Sequence, residues 1–156
     1  MKIFTDRQKG FTLIEIIVVI GIISLLAAFA IPQMLRSRMN ANELGAMAAL
    51  RTISDASQAY YNGSNPHTYP ANLPALSAIY PPYIDYGLAN ATNAGSSKQG
   101  YYFTYTLIDT EHFTIIAWPV TFGRTGSRNF FVDELGTITY NKQDGLAPGG
   151  NDLVVQ

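Results

Sequence analysis

The sequence predicts an α+β fold in which a long N-terminal helix packs on a small antiparallel sheet. Three observations lead to this prediction. Residues 11–31 are apolar with a single charge, residues 34–61 repeat apolar side chains at helical spacing, and residues 101–140 alternate strand-forming runs with short turns. The 156 residues are enough for one compact domain and one further element.

The composition narrows the functional classes. Hydrophobic residues make up 47% of the chain and charged residues 13%, which excludes an intrinsically disordered protein. The formal net charge of −1 provides no basic field for binding nucleic acid. Because the chain contains no cysteine, it has no disulfide, no thiolate metal site and no cysteine nucleophile.

The first half of the predicted helix has the length of a membrane span. Its 21-residue core, FTLIEIIVVIGIISLLAAFAI, would rise about 30 Å as a helix, the hydrocarbon thickness of a bilayer. We therefore expect one transmembrane helix over residues 11–33 that carries one polar domain. Glu15 is the only charge in the run, and a carboxylate at this depth costs on the order of 3 kcal/mol, which indicates a functional partner. The alternative is that Glu15 lies near the membrane interface and its side chain snorkels to water.

The segment KGFTLIE, residues 9–15, follows a short basic leader and precedes an apolar stretch that ends near Pro32. This arrangement resembles the processing motif of type IV pilins and type II secretion pseudopilins. The resemblance implies that a prepilin peptidase removes residues 1–10 by cutting between Gly10 and Phe11, and that the Phe11 amine is then methylated. It also implies that Glu15 pairs with the free amine of Phe11 on a neighbouring subunit during assembly.

Two residues weaken the apolar helix. Pro32 cannot donate a helical hydrogen bond, and Gly21 has a low helix propensity. In the resembling family this helix is partly melted in the filament, so the resemblance implies that melting occurs between Gly21 and Pro32. The alternative is a helix that tolerates one proline at the membrane exit.

Residues 34–61 are predicted to be the amphipathic half of the same helix. Met39, Ala46, Ile53 and Tyr60 recur every seven residues and form an apolar stripe. Charged side chains are placed largely off this stripe, namely Arg36, Arg38, Glu43, Arg51 and Asp55. A Pro-, Gly- and Asn-rich loop follows over residues 62–100, with at most a short helix near residues 75–79.

Residues 101–140 predict a four-stranded antiparallel meander. The expected strands cover residues 101–108, 113–118, 129–132 and 137–140, with short turns between them. Because the helix precedes such a sheet, its apolar stripe is expected to cover one face of the sheet. Residues 141–156 are expected to form a Gly-rich tail that is exposed as far as the apolar residues Leu153, Val154 and Val155.

The sequence does not predict an enzyme. It contains no GxSxG, Walker A, HExxH or dinucleotide-binding pattern. Its two histidines, His67 and His112, are far apart in the chain and no cysteine accompanies them, which disfavours a transition-metal site.

No cofactor is expected, with calcium as the one alternative. Some pseudopilins of the resembling family bind calcium in their C-terminal loops, and calcium prefers several oxygen ligands. The candidate ligands in this chain are the late acidic residues Asp133, Glu134, Asp144 and Asp152. The competing interpretation is two acids in a hairpin turn and two loop aspartates.

The predicted function is structural. The resemblance implies a filament subunit that polymerises through its N-terminal helix, with related pilin-like subunits, a prepilin peptidase and an inner-membrane assembly platform as partners. It also implies a single-pass inner-membrane protein whose C-terminal domain lies outside the cytoplasm before assembly. The absent cysteines and short hairpin loops favour a type II secretion pseudopilin in a periplasmic pseudopilus. The alternatives are a surface type IV pilin, major or minor, for adhesion, twitching motility or DNA uptake, and a signal-anchored enzyme or binding protein.

Overall fold

The computed structural model describes residues 10–147 and 153–154. The chain divides into two compact units, Met1–Arg36 and Ser37–Gln156. Helix α1 covers Leu13–Gly63, and an antiparallel sheet follows in the second unit, so the predicted α+β fold is confirmed. The first nine residues of the predicted leader lie outside the described residues.

Helix α1 includes the single internal proline Pro32 and ends at Gly63. The backbone N–H of Ser64 donates to the carbonyl oxygens of Tyr60 and Tyr61, at 3.0 and 3.3 Å. These bonds satisfy carbonyl groups of the last turn that have no partner within the helix. A glycine at this point is common because its backbone is not restricted by a side chain.

One face of the second half of α1 is buried in the core of the second unit. Ala46, Leu50 and Ile53 are at most 1% exposed, and their spacing of three and four residues places them on one side of the helix. They pack in one hydrophobic core with aromatic and aliphatic side chains of the sheet, namely Tyr101, Phe103, Phe113, Ile115, Phe130 and Val132.

The segment between α1 and the sheet contains three short helices rather than one. They are a 3-10 helix at Leu73–Leu76, α2 at Tyr86–Ala89 and a 3-10 helix at Ala94–Ser96. Each begins after an Asn or Asp whose side-chain oxygen accepts a backbone N–H: Asn72, Asp85 and Asn93. Such caps stabilise short helices that propensity alone does not predict.

The sheet has five strands where four were predicted. They are β1 Tyr101–Leu107, β2 Phe113–Pro119, β3 Asn129–Asp133, β4 Thr139–Asn141 and β5 Leu153–Val154, in the order β1-β2-β3-β4-β5 and antiparallel throughout. The additional strand, β5, pairs Leu153 with Tyr140 and Val154 with Thr139. It lies in the segment predicted as a tail, and both of its residues are exposed, as an edge strand of two residues would be.

Candidate functional site

The Gly10–Phe11 peptide bond lies before the start of α1 in exposed, non-helical backbone. The side chain of Phe11 is 84% exposed. A Cβ atom added at Gly10 would meet no atom within 4 Å, so the packing of the described chain does not require glycine there. Any requirement for glycine at this position would therefore come from another molecule.

Glu15 and Thr12 form a reciprocal cap at the start of α1. Glu15 Oε2 accepts the backbone N–H of Thr12 at 2.8 Å and its hydroxyl at 2.7 Å. The hydroxyl oxygen of Thr12 accepts the backbone N–H of Glu15 at 3.3 Å. This is the geometry of a capping box, in which two N–H groups of the first turn find side-chain partners. Sequence reasoning missed it, although a Thr three residues before a Glu at the start of an apolar run is its signature.

The apolar half of α1 is exposed on every side. Its large side chains range from 47% exposure at Ile16 to 77% at Leu13, and α1 is the one helix in the described part of the chain that is long and apolar enough to cross a membrane. The helix continues through Gly21 and Pro32. A helix that is apolar all round requires a surrounding of lipid or of other helices.

Glu43 is a buried carboxylate that the sequence placed off the apolar stripe. It is 1% exposed and lies on the inward face of α1, three residues before Ala46, so that placement was wrong. Glu43 Oε1 accepts the backbone N–H and the hydroxyl of Ser127 at 2.8 and 2.9 Å. Its Oε2 accepts from Arg128 Nε at 2.8 Å. The Glu43 carboxylate can be buried because both of its oxygens accept hydrogen bonds from Ser127 or Arg128.

The arginine partner is itself held by aromatic rings. The guanidinium of Arg128 lies 5.5 Å from the ring centroid of Phe130 and 5.1 Å from that of Tyr140, both in cation–π range. Beside it, Gly126 approaches Tyr101 so closely that an added Cβ would overlap the tyrosine ring. These contacts join the turn before β3 to α1.

The described calcium candidates are not brought together. Asp133 Oδ1 accepts the backbone N–H of Leu135 within a turn, Glu134 lies beside His112, and Asp144 lies in the loop after β4. Within residues 10–147 and 153–154, no group of three or more His, Asp or Glu side chains is placed to hold a metal ion. Asp152, the fourth candidate, lies outside the described residues.

His112 pairs with acidic side chains at the β1–β2 hairpin. Its Nδ1 lies 2.8 Å from Asp109 Oδ1, and its Nε2 lies 3.9 Å from Glu134 Oε1. The hydrogen bond with Asp109, followed by the charge of that carboxylate, raises the pKa of His112 above its usual value. The backbone N–H of Glu111, followed by the side chain of His112, lowers the pKa of Asp109.

The other histidine lies apart from this cluster. His67 Nδ1 lies 2.9 Å from the carbonyl oxygen of Tyr61, and the two rings stack with centroids 5.3 Å apart. The side chain is exposed, as the prediction of a loop residue implies.

Residues 5–31 match the family model described as the prokaryotic N-terminal methylation motif. The matched range contains the capping box, the Gly10–Phe11 bond and most of the apolar half of α1.

Curated relatives are also similar to this chain. The type II secretion system core protein G of Escherichia coli is 30% identical over 97 residues, which cover 62% of this chain and 63% of the relative. The type IV wide pilus major component PilA4 of Thermus thermophilus is 39% identical over 73 residues, which cover 47% of this chain and 54% of the relative. The type IV major pilin protein PilA of Myxococcus xanthus is 32% identical over 69 residues, which cover 44% of this chain and 31% of the relative.

The chain spans less than two thirds of the length of the curated relatives it matches. No solved structure matches the chain. The motif and the relatives confirm the resemblance to type IV pilins and type II secretion pseudopilins.

Proposed function

We propose that this chain, a relative of type IV pilins and of type II secretion core protein G, is a structural subunit of a type IV pilus-like filament. The observation that carries the proposal is the exposed apolar surface of α1 between Leu13 and Leu35. Exposed apolar surface of this extent marks contact with lipid or protein. A membrane before assembly and a bundle of identical helices afterwards would each cover it.

The proposed maturation step acts on the Gly10–Phe11 bond. The backbone there is exposed and non-helical, which suits entry into a peptidase. Hydrolysis consumes one water and leaves a carboxylate on Gly10 of the leader and a free amine on Phe11. Transfer of one methyl group from a sulfonium methyl donor to that amine forms an N–C bond, breaks the S–C bond of the donor and releases one proton. The secondary amine that results still binds a proton at neutral pH, so the mature helix would begin with a positive charge.

The geometry of Glu15 suits a second partner. Both hydrogen bonds from Thr12 end on Oε2, while Oε1 accepts none from the residues that the structure describes. An ionised carboxylate accepts about four hydrogen bonds, so Oε1 has capacity for another donor. We assign Oε2 to the cap of its own helix and Oε1 to the Phe11 amine of a neighbouring subunit. Pairing favours assembly because each charge alone is costly in apolar surroundings.

The helix would change during polymerisation. In this structure α1 is continuous through Gly21 and Pro32. We propose that the segment between these residues loses helical hydrogen bonds when subunits pack, because Pro32 donates none and glycine lowers helix stability by about 1 kcal/mol. Extension there would allow neighbouring domains to adjust their spacing.

Two machines could use such a subunit. We favour a type II secretion pseudopilin, because the match to core protein G of Escherichia coli extends over 97 residues, against 73 and 69 residues for the two pilus proteins. A surface type IV pilin is the second candidate, favoured by the higher identity of 39% to the Thermus thermophilus pilus component. In both cases the role is structural rather than catalytic.

The proposed setting is the inner membrane, with the C-terminal domain outside the cytoplasm. There the chain would meet the prepilin peptidase, the assembly platform and further pilin-like subunits. The anchor is supported by the length and apolar character of α1. A pseudopilin would then enter a periplasmic fibre, and a pilin would enter a surface fibre.

Replacement of Glu15 by leucine tests the proposal. We expect Glu15→Leu to insert into the membrane and to be cut after Gly10, yet to form no filaments by electron microscopy and no cross-linked ladders. The matched control is Glu111→Leu, which removes an exposed carboxylate from a hairpin turn and should leave filaments unchanged. Wild-type amounts of filament from Glu15→Leu would contradict the assembly role of Glu15. Absence of filaments from the wild-type chain as well would reduce the helix to a simple anchor and contradict the filament proposal.

A further inference from the structure

Two arginines follow directly after the exposed apolar surface of α1. The last large apolar side chains of that surface, Met34 and Leu35, are 56% and 49% exposed. Arg36 and Arg38 come next in the same helix, and both are exposed. From Leu13 to Leu35 the helix rises about 33 Å, slightly more than the hydrocarbon thickness of a bilayer. A bilayer spanned over this length would therefore have its headgroups at the level of the two arginines.

The described part of the chain gives this basic pair, Arg36 and Arg38, no counter-ion. Within residues 10–147 and 153–154 neither guanidinium group forms an ion pair or a hydrogen bond. Between Glu15 and Glu43 the pair contributes the only charges in the sequence. Glu43 is buried and already paired with Arg128. Both positive charges are therefore available to an anion that another molecule supplies.

The two arginines leave α1 on opposite sides. Successive residues of an α-helix are rotated by about 100°, so Arg36 and Arg38, which are two positions apart, are separated by about 200°. A single small anion, such as free phosphate, would contact only one of the two guanidinium groups. A layer of lipid headgroups surrounds a spanning helix on every side and would contact both. The arrangement therefore suits a charged surface better than a small ligand.

We propose that the basic pair binds the phosphate groups of anionic phospholipids at the membrane surface. This inference rests on the proposed function, because it requires α1 to span the membrane before assembly. A guanidinium group binds phosphate through two parallel hydrogen bonds, which makes arginine suited to the contact. The net charge of an anionic headgroup adds an attraction that a zwitterionic headgroup lacks. The contact fixes the depth of α1 in the bilayer, and a subunit gives it up on entering a filament.

Acidic side chains of a second copy are the competing source of negative charge. They reach the basic pair only where two copies are already packed together. Headgroups, by contrast, are present at this level of the helix around every inserted chain, including one that has not assembled. A measurement on protein diluted in excess lipid therefore separates the two sources.

Spin-labelled lipids measure the contact directly. The full-length chain is reconstituted at low density in phosphatidylcholine vesicles that contain a trace of spin-labelled phosphatidylglycerol or phosphatidylcholine. Electron paramagnetic resonance then gives the fraction of each labelled lipid that is immobilised beside the protein. We expect phosphatidylglycerol to associate at least about threefold more strongly than phosphatidylcholine, and this preference to shrink in about 1 M salt. Equal association of the two lipids would overturn the inference.

The double variant Arg36→Gln, Arg38→Gln assigns the preference to the basic pair. We expect it to lower the preference for phosphatidylglycerol at least about twofold, with unchanged circular dichroism. Arg51→Gln is the matched control, because Arg51 is an exposed arginine of the same helix about 20 Å beyond Arg38. Residues 1–10 are the same in all these chains, so their charges cannot produce a difference. An unchanged preference in the double variant, or an equal loss in the control, would overturn the inference.

The same experiment distinguishes this inference from the membrane anchor and from free anion binding. If neither lipid is immobilised, α1 does not span the membrane, and the proposed anchor and this inference both fail. If both lipids are immobilised equally, the anchor stands and this inference fails. Inorganic phosphate at about 10 mM and constant ionic strength should leave the preference unchanged, because a free anion does not replace a surface. Loss of the preference in phosphate would show a small-anion site and overturn the inference.

Discussion

Glu43 and Arg128 lie 85 positions apart in the sequence and form a buried ion pair in which Arg128 Nη2 is 2.5 Å from Glu43 Oε2. With Arg128 Nε and the two donors of Ser127, the carboxylate is paired with four donors. The pair joins α1 to the residues that lead into β3. It therefore couples α1 to the middle strand of the sheet.

Removing the charge of Glu43 should destabilise the domain strongly. Glu43→Gln leaves the guanidinium of Arg128 partly buried without a counter-ion, and breaking a buried pair in this way costs about 3 kcal/mol of unfolding free energy. The measurement is denaturant unfolding of the full-length protein in micelles, followed by tryptophan fluorescence. Glu111→Gln is the control, because that carboxylate is exposed and its loss should change stability by less than about 0.5 kcal/mol. Equal stability of the two variants would show that the ion pair contributes nothing.

The hydroxyl group of Thr12 should control the first turn of α1. Thr12→Ala removes two of the three capping-box bonds, which typically costs about 1 kcal/mol, whereas Thr12→Ser keeps the hydroxyl. We expect the amides of residues 13–16 to exchange hydrogen about fivefold faster in Thr12→Ala than in Thr12→Ser. Native-state hydrogen exchange by NMR in micelles measures this. Equal exchange in the two variants would show that the hydroxyl does not cap the helix.

The pair formed by His112 and Asp109 should stabilise the fold in a defined pH window. Because the pKa of His112 is higher in the folded state, its contribution to stability is complete below its unfolded pKa of 6.5. This contribution is lost as the pH rises through the folded pKa. Because the pKa of Asp109 is lower in the folded state, its contribution to stability is complete above its unfolded pKa of 3.8. This contribution is lost as the pH falls through the folded pKa. The pair is therefore most stabilising between these two values.

The matching experiment compares thermal unfolding of wild type and His112→Gln. We expect the difference in Tm to be larger at about pH 5 than at about pH 8.5, because His112 is protonated only at the lower pH. An NMR titration should place the pKa of His112 above 6.5, and Asp109→Asn should move it back towards that value. A pH-independent difference in Tm would contradict the assignment.

The fold class was predictable because its signals are local. Helical spacing from Met34 to Tyr61 and strand-forming runs after Tyr101 each lie within one stretch of sequence. The buried position of Glu43 was not predictable, since its partners Ser127 and Arg128 join it only through the fold. A charged residue is normally assigned to the surface, because a charged side chain is buried only when it is paired with a partner from another part of the fold.

The candidate site also contains features that the sequence predicts and features that only the fold brings together. The positions of Gly10, Phe11 and Glu15 follow from a local motif, and the capping pattern of Thr12 and Glu15 was readable in principle. The approach of His112 to Glu134 was not readable, because it joins the β1–β2 hairpin to the turn after β3. Strand β5 was missed because a two-residue strand carries too little pattern to identify it.

The most direct test of the filament account is the intact mass of the protein in native cells. Sheared surface material and membranes are measured separately. The account predicts a mature chain that begins at Phe11 and carries one added methyl group. Confinement of this mature chain to membranes would favour a secretion pseudopilin or a minor pilin. Its abundance in the sheared fraction would favour a surface pilin. A chain that begins at Met1, or after Ala30, in both fractions would contradict the account.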